Sequence, residues 1–210
     1  MNKINQENQI VNRFRGFLPI VIDVETGGFN ASTDALLELA AITIKMDDDG
    51  HLYQGEELSL NVEPFEGANL EEASLAFTGI DPYHPFRLAV KEKHALRELF
   101  EMVNQSMREQ GCSRAILVGH NPFFDLGFLN AAIERNKMKK NPFHGFSTFD
   151  TATLSALAYG QTVLSRSVQA AGLEFDENEA HSAAYDCERT AALFCSIINR
   201  WHVLNRDAKS

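Results

Sequence analysis

Carboxylates and one histidine in three short segments could together carry out phosphodiester chemistry. The segments are VIDVETGGF (21–29), GHNPFFDLGF (119–128) and AHSAAYDCER (180–189). The side chains of interest are Asp23, Glu25, Asp125, His181 and Asp186. Carboxylate oxygens are the ligands that hard divalent ions prefer, and histidine titrates near neutral pH. We therefore predict a site for two divalent metal ions beside a general base, which suits in-line cleavage of phosphodiester bonds.

The first segment begins within a short apolar run, residues 17–24, that is typical of a buried central strand. Side chains at positions i and i+2 of a strand share one face, so Asp23 and Glu25 point the same way. Charges in an apolar run need partners or a metal ion. Gly27 and Gly28 end the strand, and we expect them to leave room for a ligand. The alternative is a surface acidic pair, because D-x-E alone is a weak motif.

The second segment stands at a predicted helix start. A buried strand over residues 114–118 leads to a helix with Asn121 as its N-cap and Pro122 at its first position. Asp125 then falls in the first turn, where the strand delivers it to the same sheet edge as Asp23. The alternative is that Asp125 only interacts favourably with the helix dipole.

The third segment places His181 just before a helix predicted over residues 183–204, with Asp186 in its second turn. A histidine on such an approach loop can remove a proton from water near neutral pH. The alternative is a solvent-exposed loop histidine, one of the seven in the chain. Other acidic residues are interpreted as solvated or capping: Asp34, Glu38, Asp150 and Glu188.

The order of elements predicts an α/β fold with a mixed five-stranded sheet flanked by helices on both faces. Strands are predicted over residues 17–24, 36–46, 57–63, 114–118 and 146–150, the last at a sheet edge. Helices are predicted over residues 70–77, 92–107, 122–135, 152–158 and 183–204. No repeat or linker divides the chain, so we predict one domain over residues 1–210 with a loose N-terminal segment over residues 1–12.

The composition limits the classes of partner. The net charge of -10 has the wrong sign for a protein that binds nucleic acid over its whole surface, so phosphate contacts must come from local basic patches or metal ions. The three cysteines lack metal-type spacing and suit a reducing cytoplasm. No signal peptide or run of eighteen apolar residues is present, and no membrane contact is expected.

Taken together, D-x-E, HNxxFD and HSAxxD resemble, in order and spacing, the three sequence motifs of the DnaQ-like 3′→5′ exonucleases, in the DEDDh subclass with a histidine in the third motif. The resemblance implies a ribonuclease-H-like fold and His181 as general base. It also implies two Mg²⁺ ions per active site, with Mn²⁺ as an expected substitute. The implied metal site is formed by Asp23, Glu25, Asp125, His181 and Asp186.

Further segments resemble, almost end to end, the branch of this family that trims the 3′ ends of transfer RNA and other stable RNAs and also degrades single-stranded DNA. They are RFRGF (13–17), DALLELAAIT (34–43), VEPF (62–65), LAFTGIDP (75–82), NPFH (141–144), TFDTA (148–152) and GQTVLS (160–165). This resemblance implies RNA with a single-stranded 3′ end, such as tRNA and rRNA precursors, as substrate, and a homodimer as the active form.

Fifteen of the aromatic residues are phenylalanine, and the spacing alone places most of them in the core. The resemblance implies that four of them sandwich the last bases of the substrate: Phe29, Phe77, Phe124 and Phe146. Stacking of an unpaired base on an aromatic ring contributes about 1–3 kcal/mol and is largely sequence-tolerant. The family has an acidic residue against a terminal base where this chain has Ala73, which leaves the preference for the final base open.

Basic residues cluster in several short stretches, usually a sign of solvated helix ends and loops. The functional interpretation is a phosphate-binding patch. The resemblance implies a patch that lies away from the catalytic centre of its own subunit and serves the partner subunit of a homodimer. The predicted patch is Arg13, Arg15, Arg108, Arg114, Lys139 and Lys140, with Arg135 and Lys137 nearby.

The sequence therefore predicts a Mg²⁺-dependent 3′→5′ exoribonuclease that releases 5′-monophosphates from single-stranded 3′ ends. Two alternatives stay open at this point. One is a DNA exonuclease for repair or proofreading with the same chemistry. The other is a non-catalytic nucleic-acid-binding module, against which the complete carboxylate set argues.

Overall fold

A mixed, six-stranded sheet forms the centre of the computed structural model, which describes residues 9–207. The strands are β1 (Phe17–Thr26), β2 (Leu36–Met46), β3 (Leu52–Glu63), β4 (Val90–Lys91), β5 (Arg114–Gly119) and β6 (Phe143–Asp150). Their order across the sheet is β4-β3-β2-β1-β5-β6. β2 pairs antiparallel with both β1 and β3, whereas β5 pairs parallel with β1 and β6. The predicted edge strand is confirmed as β6.

The prediction of five strands was one short. The additional strand is β4, a two-residue segment that pairs parallel with the end of β3 through Val62 and Val90. Two residues carry no periodicity, so sequence patterning cannot detect such a strand.

Seven α-helices accompany the sheet within the described residues. They are α1 (Ile10–Arg13), α2 (Glu72–Thr78), α3 (Glu92–Glu109), α4 (Phe123–Arg135), α5 (Thr151–Tyr159), α6 (Leu164–Ala170) and α7 (Ala183–Asp207), with a 3-10 turn at Pro85–Arg87. The short helices α1 and α6 were not predicted. The expected loose segment over residues 1–12 lies mostly outside the described residues; within it, Ile10 begins α1 and is buried.

The main core lies between the sheet and its helices. β1 is buried along almost its whole length because it is a central strand with neighbours on both sides. α7 packs across β1, β2 and β3, while α3 covers β2, β3 and β5. A smaller apolar cluster around Val168, Leu193 and Ile197 joins α6 to α7. Among residues 9–207, no helix is long and apolar enough to cross a lipid bilayer.

Candidate active site

Three of the predicted carboxylates converge at one end of the central strand. Asp23 and Glu25 lie near the end of β1, and Asp186 lies in the first turn of α7. One carboxylate oxygen from each of the three lies within 4.8 Å of the other two. Separations of this size allow one cation to contact all three side chains.

Asp125 lies behind this triplet, in the first turn of α4. The side chain is 5% exposed, and its Oδ1 accepts a hydrogen bond of 3.1 Å from the backbone N–H of Val24. Asp125 is therefore fixed against the strand segment between Asp23 and Glu25. It is close enough to raise the pKa of both carboxyls, although it is not one of the three that share the 4.8 Å cluster.

The start of α4 differs from the prediction. The helix begins at Phe123 with Pro122 as the capping position, and Asn121 adopts a left-handed φ of 65° instead of capping it. The N–H of Asn121 donates to Asp150 Oδ1 at 3.1 Å. Asp150 also caps α5 by accepting from the N–H groups of Ala152 and Thr153. Asp150 thus holds the turn that carries Asp125, and its predicted capping role is confirmed.

Crowding of carboxylates in a buried space makes ionisation costly. Burial, followed by repulsion from Asp125, Asp186, Glu25 and Glu38, raises the pKa of Asp23 well above its usual value. Burial, followed by the neighbouring carboxylates, raises the pKa of Glu25 to about 8, and burial raises the pKa of Asp125 to about 7. The cluster therefore holds protons near neutral pH unless a cation offsets its charge.

The donor set fits a divalent metal ion. Asp186 Oδ2 accepts a hydrogen bond of 3.1 Å from the N–H of His181, whereas its Oδ1 is buried without a hydrogen-bond partner among the described residues. A buried carboxylate oxygen without a donor is costly unless a cation coordinates it. The unpaired oxygen and the raised pKa values of Asp23 and Glu25 therefore both fit a cation bound at this position.

His181 lies at the rim of the carboxylate cluster. Its imidazole is exposed and contacts the ring of Phe77, with ring centres 4.3 Å apart. Its backbone adopts a left-handed φ of 68°, an uncommon conformation for a residue other than glycine, which turns its N–H towards Asp186. The histidine predicted as base is thus brought next to a predicted metal ligand.

An apolar cavity of about 370 Å³ adjoins the carboxylates, and several predicted stacking residues line it. Phe29 and Phe77 are 81% and 66% exposed, and Phe124 packs edge-on against Phe29. Ala73 also lines the cavity, so no acidic side chain stands at that position. Spacing alone predicts that Phe29 and Phe77 lie in the core. That prediction is wrong, because both rings are exposed and available to stack on bases.

Phe146 lies outside the lining of that cavity. It is 82% exposed on the edge strand β6 and contacts the ring of His144 at 4.6 Å. The structure therefore places it as an exposed ring but does not bring it to Phe29, Phe77 and Phe124.

Glu38 belongs to the acidic cluster, although the sequence analysis did not predict it there. The register of β1 and β2 pairs Glu25 with Glu38, so the two side chains share one face of the sheet. Glu38 Oε2 accepts from the N–H of Ala183 at 3.3 Å, so the predicted capping role holds at the start of α7. Pairing the predicted strand over residues 36–46 antiparallel with the strand that carries Glu25 would have placed Glu38 beside the site.

The glycines at 27 and 28 serve the protein's own packing. A Cβ on Gly28 would lie 2.1 Å from Asp34 Oδ2, and one on Gly27 would lie 2.8 Å from the Leu70 side chain. Asp34 is buried and accepts hydrogen bonds from Asn30, Thr33 and Asn69. The close approach of Asp34 and Leu70 accounts for the two glycines, and Gly28 also lines the apolar cavity beside the carboxylates.

The predicted basic patch does not adjoin the carboxylates. Arg114 pairs in register with Phe17 at the start of β1, six residues before Asp23, which is a separation of roughly 20 Å along a strand. Arg15 lies in the turn before β1, and the next residue, Gly16, accepts a hydrogen bond from the N–H of Ser113. Arg13 instead turns towards α7 and contacts His202 Nδ1 at 2.6 Å. The other predicted members, Arg108, Lys139 and Lys140, are exposed.

Comparison with known proteins identifies the family. A family model named RNase_T, described as an exonuclease, matches residues 20–194. A ribonuclease T of Hahella chejuensis (strain KCTC 2396) is 62% identical over 198 residues, covering 94% of this chain and 91% of the relative. The chain belongs to the ribonuclease T family of exonucleases. This membership confirms the predicted enzyme class, a 3′→5′ exoribonuclease.

Membership of the ribonuclease T family also bears on the metal and the substrate. Exonucleases of this family depend on divalent metal ions, and the triplet of Asp23, Glu25 and Asp186 provides a fitting site. The substrate is nucleic acid.

Solved structures support the fold. Escherichia coli exonuclease I in complex with a dT13 oligonucleotide matches with a TM-score of 0.69 and 19% identity, over 90% of this chain and 43% of that one. The zinc-bound form of its complex with single-stranded DNA matches with a TM-score of 0.67, 19% identity and 88% coverage of this chain, against 41% of that chain. The present chain thus spans less than half of those exonuclease I chains. The predicted ribonuclease-H-like fold is confirmed.

Proposed function

We propose that this protein is a Mg²⁺-dependent 3′→5′ exoribonuclease that trims single-stranded 3′ ends of tRNA and other stable RNAs and releases 5′-monophosphates. One observation carries the proposal. The triplet of Asp23, Glu25 and Asp186 lies directly beside an apolar cavity lined by exposed phenylalanine rings. Metal-assisted cleavage of a phosphodiester and capture of an unpaired terminal base are thereby available in one place.

The metal site is formed, in this proposal, by the predicted carboxylates. Asp23, Glu25 and Asp186 hold the ions with Asp125 behind them, and the family resemblance adds Asp125 and His181 to the ligand set. When bound, divalent ions stabilise the negative charge that develops on the phosphoryl oxygens and on the leaving 3′ oxygen. The raised pKa values imply that the carboxyls release protons as the ions bind.

His181 acts as general base in this proposal. Its imidazole takes a proton from the attacking water, whose oxygen forms the new bond to phosphorus while the bond from phosphorus to the 3′ oxygen breaks. The exposed side chain of His181, whose backbone N–H donates to Asp186, supports this role because solvent and substrate can both reach the ring.

The cavity selects an unpaired 3′ end. Phe29 and Phe77 are exposed rings that line the cavity, and Glu25 and Ala73 line it as well. A flat base can therefore enter the cavity and stack on the aromatic faces. A paired base cannot leave its duplex without an added cost of unstacking. Phe124 supports the Phe29 ring, and exposed Phe146 is assigned to a more distant base.

A homodimer accounts for the position of the basic residues. The patch around Arg15 and Arg114 lies at the opposite end of β1 from Asp23 and Glu25, so it cannot hold the phosphates nearest its own cleavage site. A second copy can present the same patch to the substrate of the first. Sedimentation at micromolar concentration tests this proposal, and a monomer that still processes tRNA would contradict it.

A time course on a tRNA with a single-stranded 3′ tail tests the activity. With Mg²⁺ we expect stepwise shortening and release of 5′-monophosphates, and with EDTA no shortening. Asp23→Asn and Asp186→Asn should abolish cleavage while keeping the fold and part of the RNA affinity, whereas the surface control Glu101→Gln should retain full activity. Unchanged cleavage in either aspartate variant would refute the metal assignment.

A matched DNA tail tests the choice of nucleic acid in the same assay. We expect the RNA tail to be shortened faster at equal length and sequence. Strong preference for the DNA tail would overturn the substrate assignment and leave the exonuclease chemistry in place.

A further inference from the structure

The loop that carries His181 is tied to the start of α7 by Tyr185. The phenolic oxygen of Tyr185 accepts a hydrogen bond of 2.5 Å from the N–H of Asp176. The Tyr185 ring also meets Phe175 edge-on, with centres 5.4 Å apart, and Phe175 packs on the small apolar cluster between α6 and α7. The middle of the loop is thus fixed to the helix both by a polar contact and by an apolar one.

Arg189 adds a second tie one helical turn further along. Its Nη1 donates to the carbonyl oxygen of Glu174 at 2.9 Å, and its guanidinium carbon lies 5.4 Å from the centre of the Tyr185 ring. Residues four apart on a helix share one face, so Tyr185 and Arg189 form a single surface against which the loop lies.

Beyond these ties, the loop reaches His181 through a short segment of largely exposed residues. Residues 177–179 are exposed and turn back on Asp176, whose backbone oxygen accepts from Glu179. The next contact of the backbone is at His181 itself, where its N–H donates to Asp186. A residue other than glycine keeps a left-handed φ only where its surroundings enforce it, so His181 needs both ends of this segment held.

We propose that Tyr185 and Arg189 are positioning residues that hold His181 at its working distance from Asp186. The metal ligand Asp186 and the two ties lie on the first two turns of one helix, so α7 sets the spacing between metal and base. This inference rests on the proposed role of His181 as general base. Neither Tyr185 nor Arg189 touches the reacting atoms in this scheme.

Tyr185→Phe is the sharpest test because it removes one acceptor oxygen and keeps the ring against Phe175. We expect kcat on a 3′-tailed RNA to fall about 3- to 10-fold, the range that loss of one hydrogen bond produces. KM and the affinity for Mg²⁺ should change less than about twofold, because the carboxylates and the aromatic cavity are untouched. Tyr159→Phe is the matched control, because its hydroxyl contacts Ser196 Oγ at 3.5 Å instead of the backbone of the loop, and kcat should stay unchanged.

A double-mutant cycle with His181→Ala separates positioning from a general structural effect. If Tyr185 acts through His181, adding Tyr185→Phe to His181→Ala should cause no further loss of kcat. Equal losses in both backgrounds, or no loss in the wild-type background, would overturn the positioning role. If His181→Ala itself left kcat unchanged, the general-base proposal would fail and the positioning role with it.

Arg189→Lys provides a second variant in the same cycle. Lysine can still donate to Glu174 and should retain most of kcat, whereas Arg189→Gln should lower kcat about as much as Tyr185→Phe. Equal kcat in Arg189→Lys and Arg189→Gln would contradict the assigned contact.

Discussion

Replacing Glu25 by glutamine is expected to stabilise the metal-free protein while it disables the metal site. Burial and the carboxylates of Asp186, Glu38 and Asp125 raise the pKa of Glu25 from 4.5 to about 8. A raised carboxyl pKa contributes stability that is fully present below pH 4.5 and is lost as the pH rises through 8. A glutamine side chain at this position does not titrate, so the Glu25→Gln variant escapes this loss.

The magnitude follows from the shift. Each pKa unit corresponds to about 1.36 kcal/mol, so three pH units between pH 5 and pH 8 give an upper limit of about 4 kcal/mol. Solvent reaches part of the Glu25 side chain and relieves the repulsion, so we expect about 2 kcal/mol. For a chain of this size, that difference corresponds to roughly 4–8 °C in the melting temperature.

The assay is thermal unfolding in EDTA between pH 5 and pH 8. Wild type and Glu25→Gln should melt at similar temperatures at pH 5, and the variant should melt higher by roughly 4–8 °C at pH 8. Glu101→Gln, on the exposed face of α3, is the control and should follow wild type throughout. With saturating Mg²⁺ the order should reverse, because only the intact site gains the free energy of metal binding. Parallel melting curves for wild type and Glu25→Gln in EDTA would refute the reasoning.

Other parts of the site give three further predictions. In steady-state assays, Phe77→Ala should raise KM for a 3′-tailed RNA about 5- to 50-fold through loss of stacking, and kcat should change less. Phe77→Tyr keeps an aromatic ring and should retain the wild-type KM. Asp150→Ala should lower the free energy of unfolding in urea by about 0.5–2 kcal/mol through loss of the α5 cap, while Asp150→Asn should lose less. The affinity for Mg²⁺ should rise between pH 6 and pH 8, because Glu25 and Asp125 have pKa values of about 8 and 7 and must release protons when the ion binds. Calorimetry in two buffers of different ionisation enthalpy would detect those protons. An affinity that does not change with pH would contradict the raised pKa values.

Local patterns predicted much of the fold. The apolar run before Asp23 was confirmed as the central strand, because a strand with neighbours on both sides must be apolar on both faces. The helix predicted over residues 70–77 was confirmed as α2, which ends at Gly79, a C-cap with a left-handed φ of 70°. Short elements such as β4 and α6 were missed because they are too brief to show a period and depend on tertiary packing.

The sequence by itself determined the set of chemical groups, because the order and spacing of Asp23, Glu25, Asp125, His181 and Asp186 indicate an exonuclease. Only the tertiary structure decided how those groups are arranged. It showed that Asp23, Glu25 and Asp186 share one cluster, with Asp125 hydrogen-bonded behind them. It also showed that the Phe29 and Phe77 side chains are exposed, although their spacing alone predicts a core location. The physical reason is that residue type and local period describe a segment alone, whereas distance, burial and pKa depend on which segments the sheet and α7 bring together.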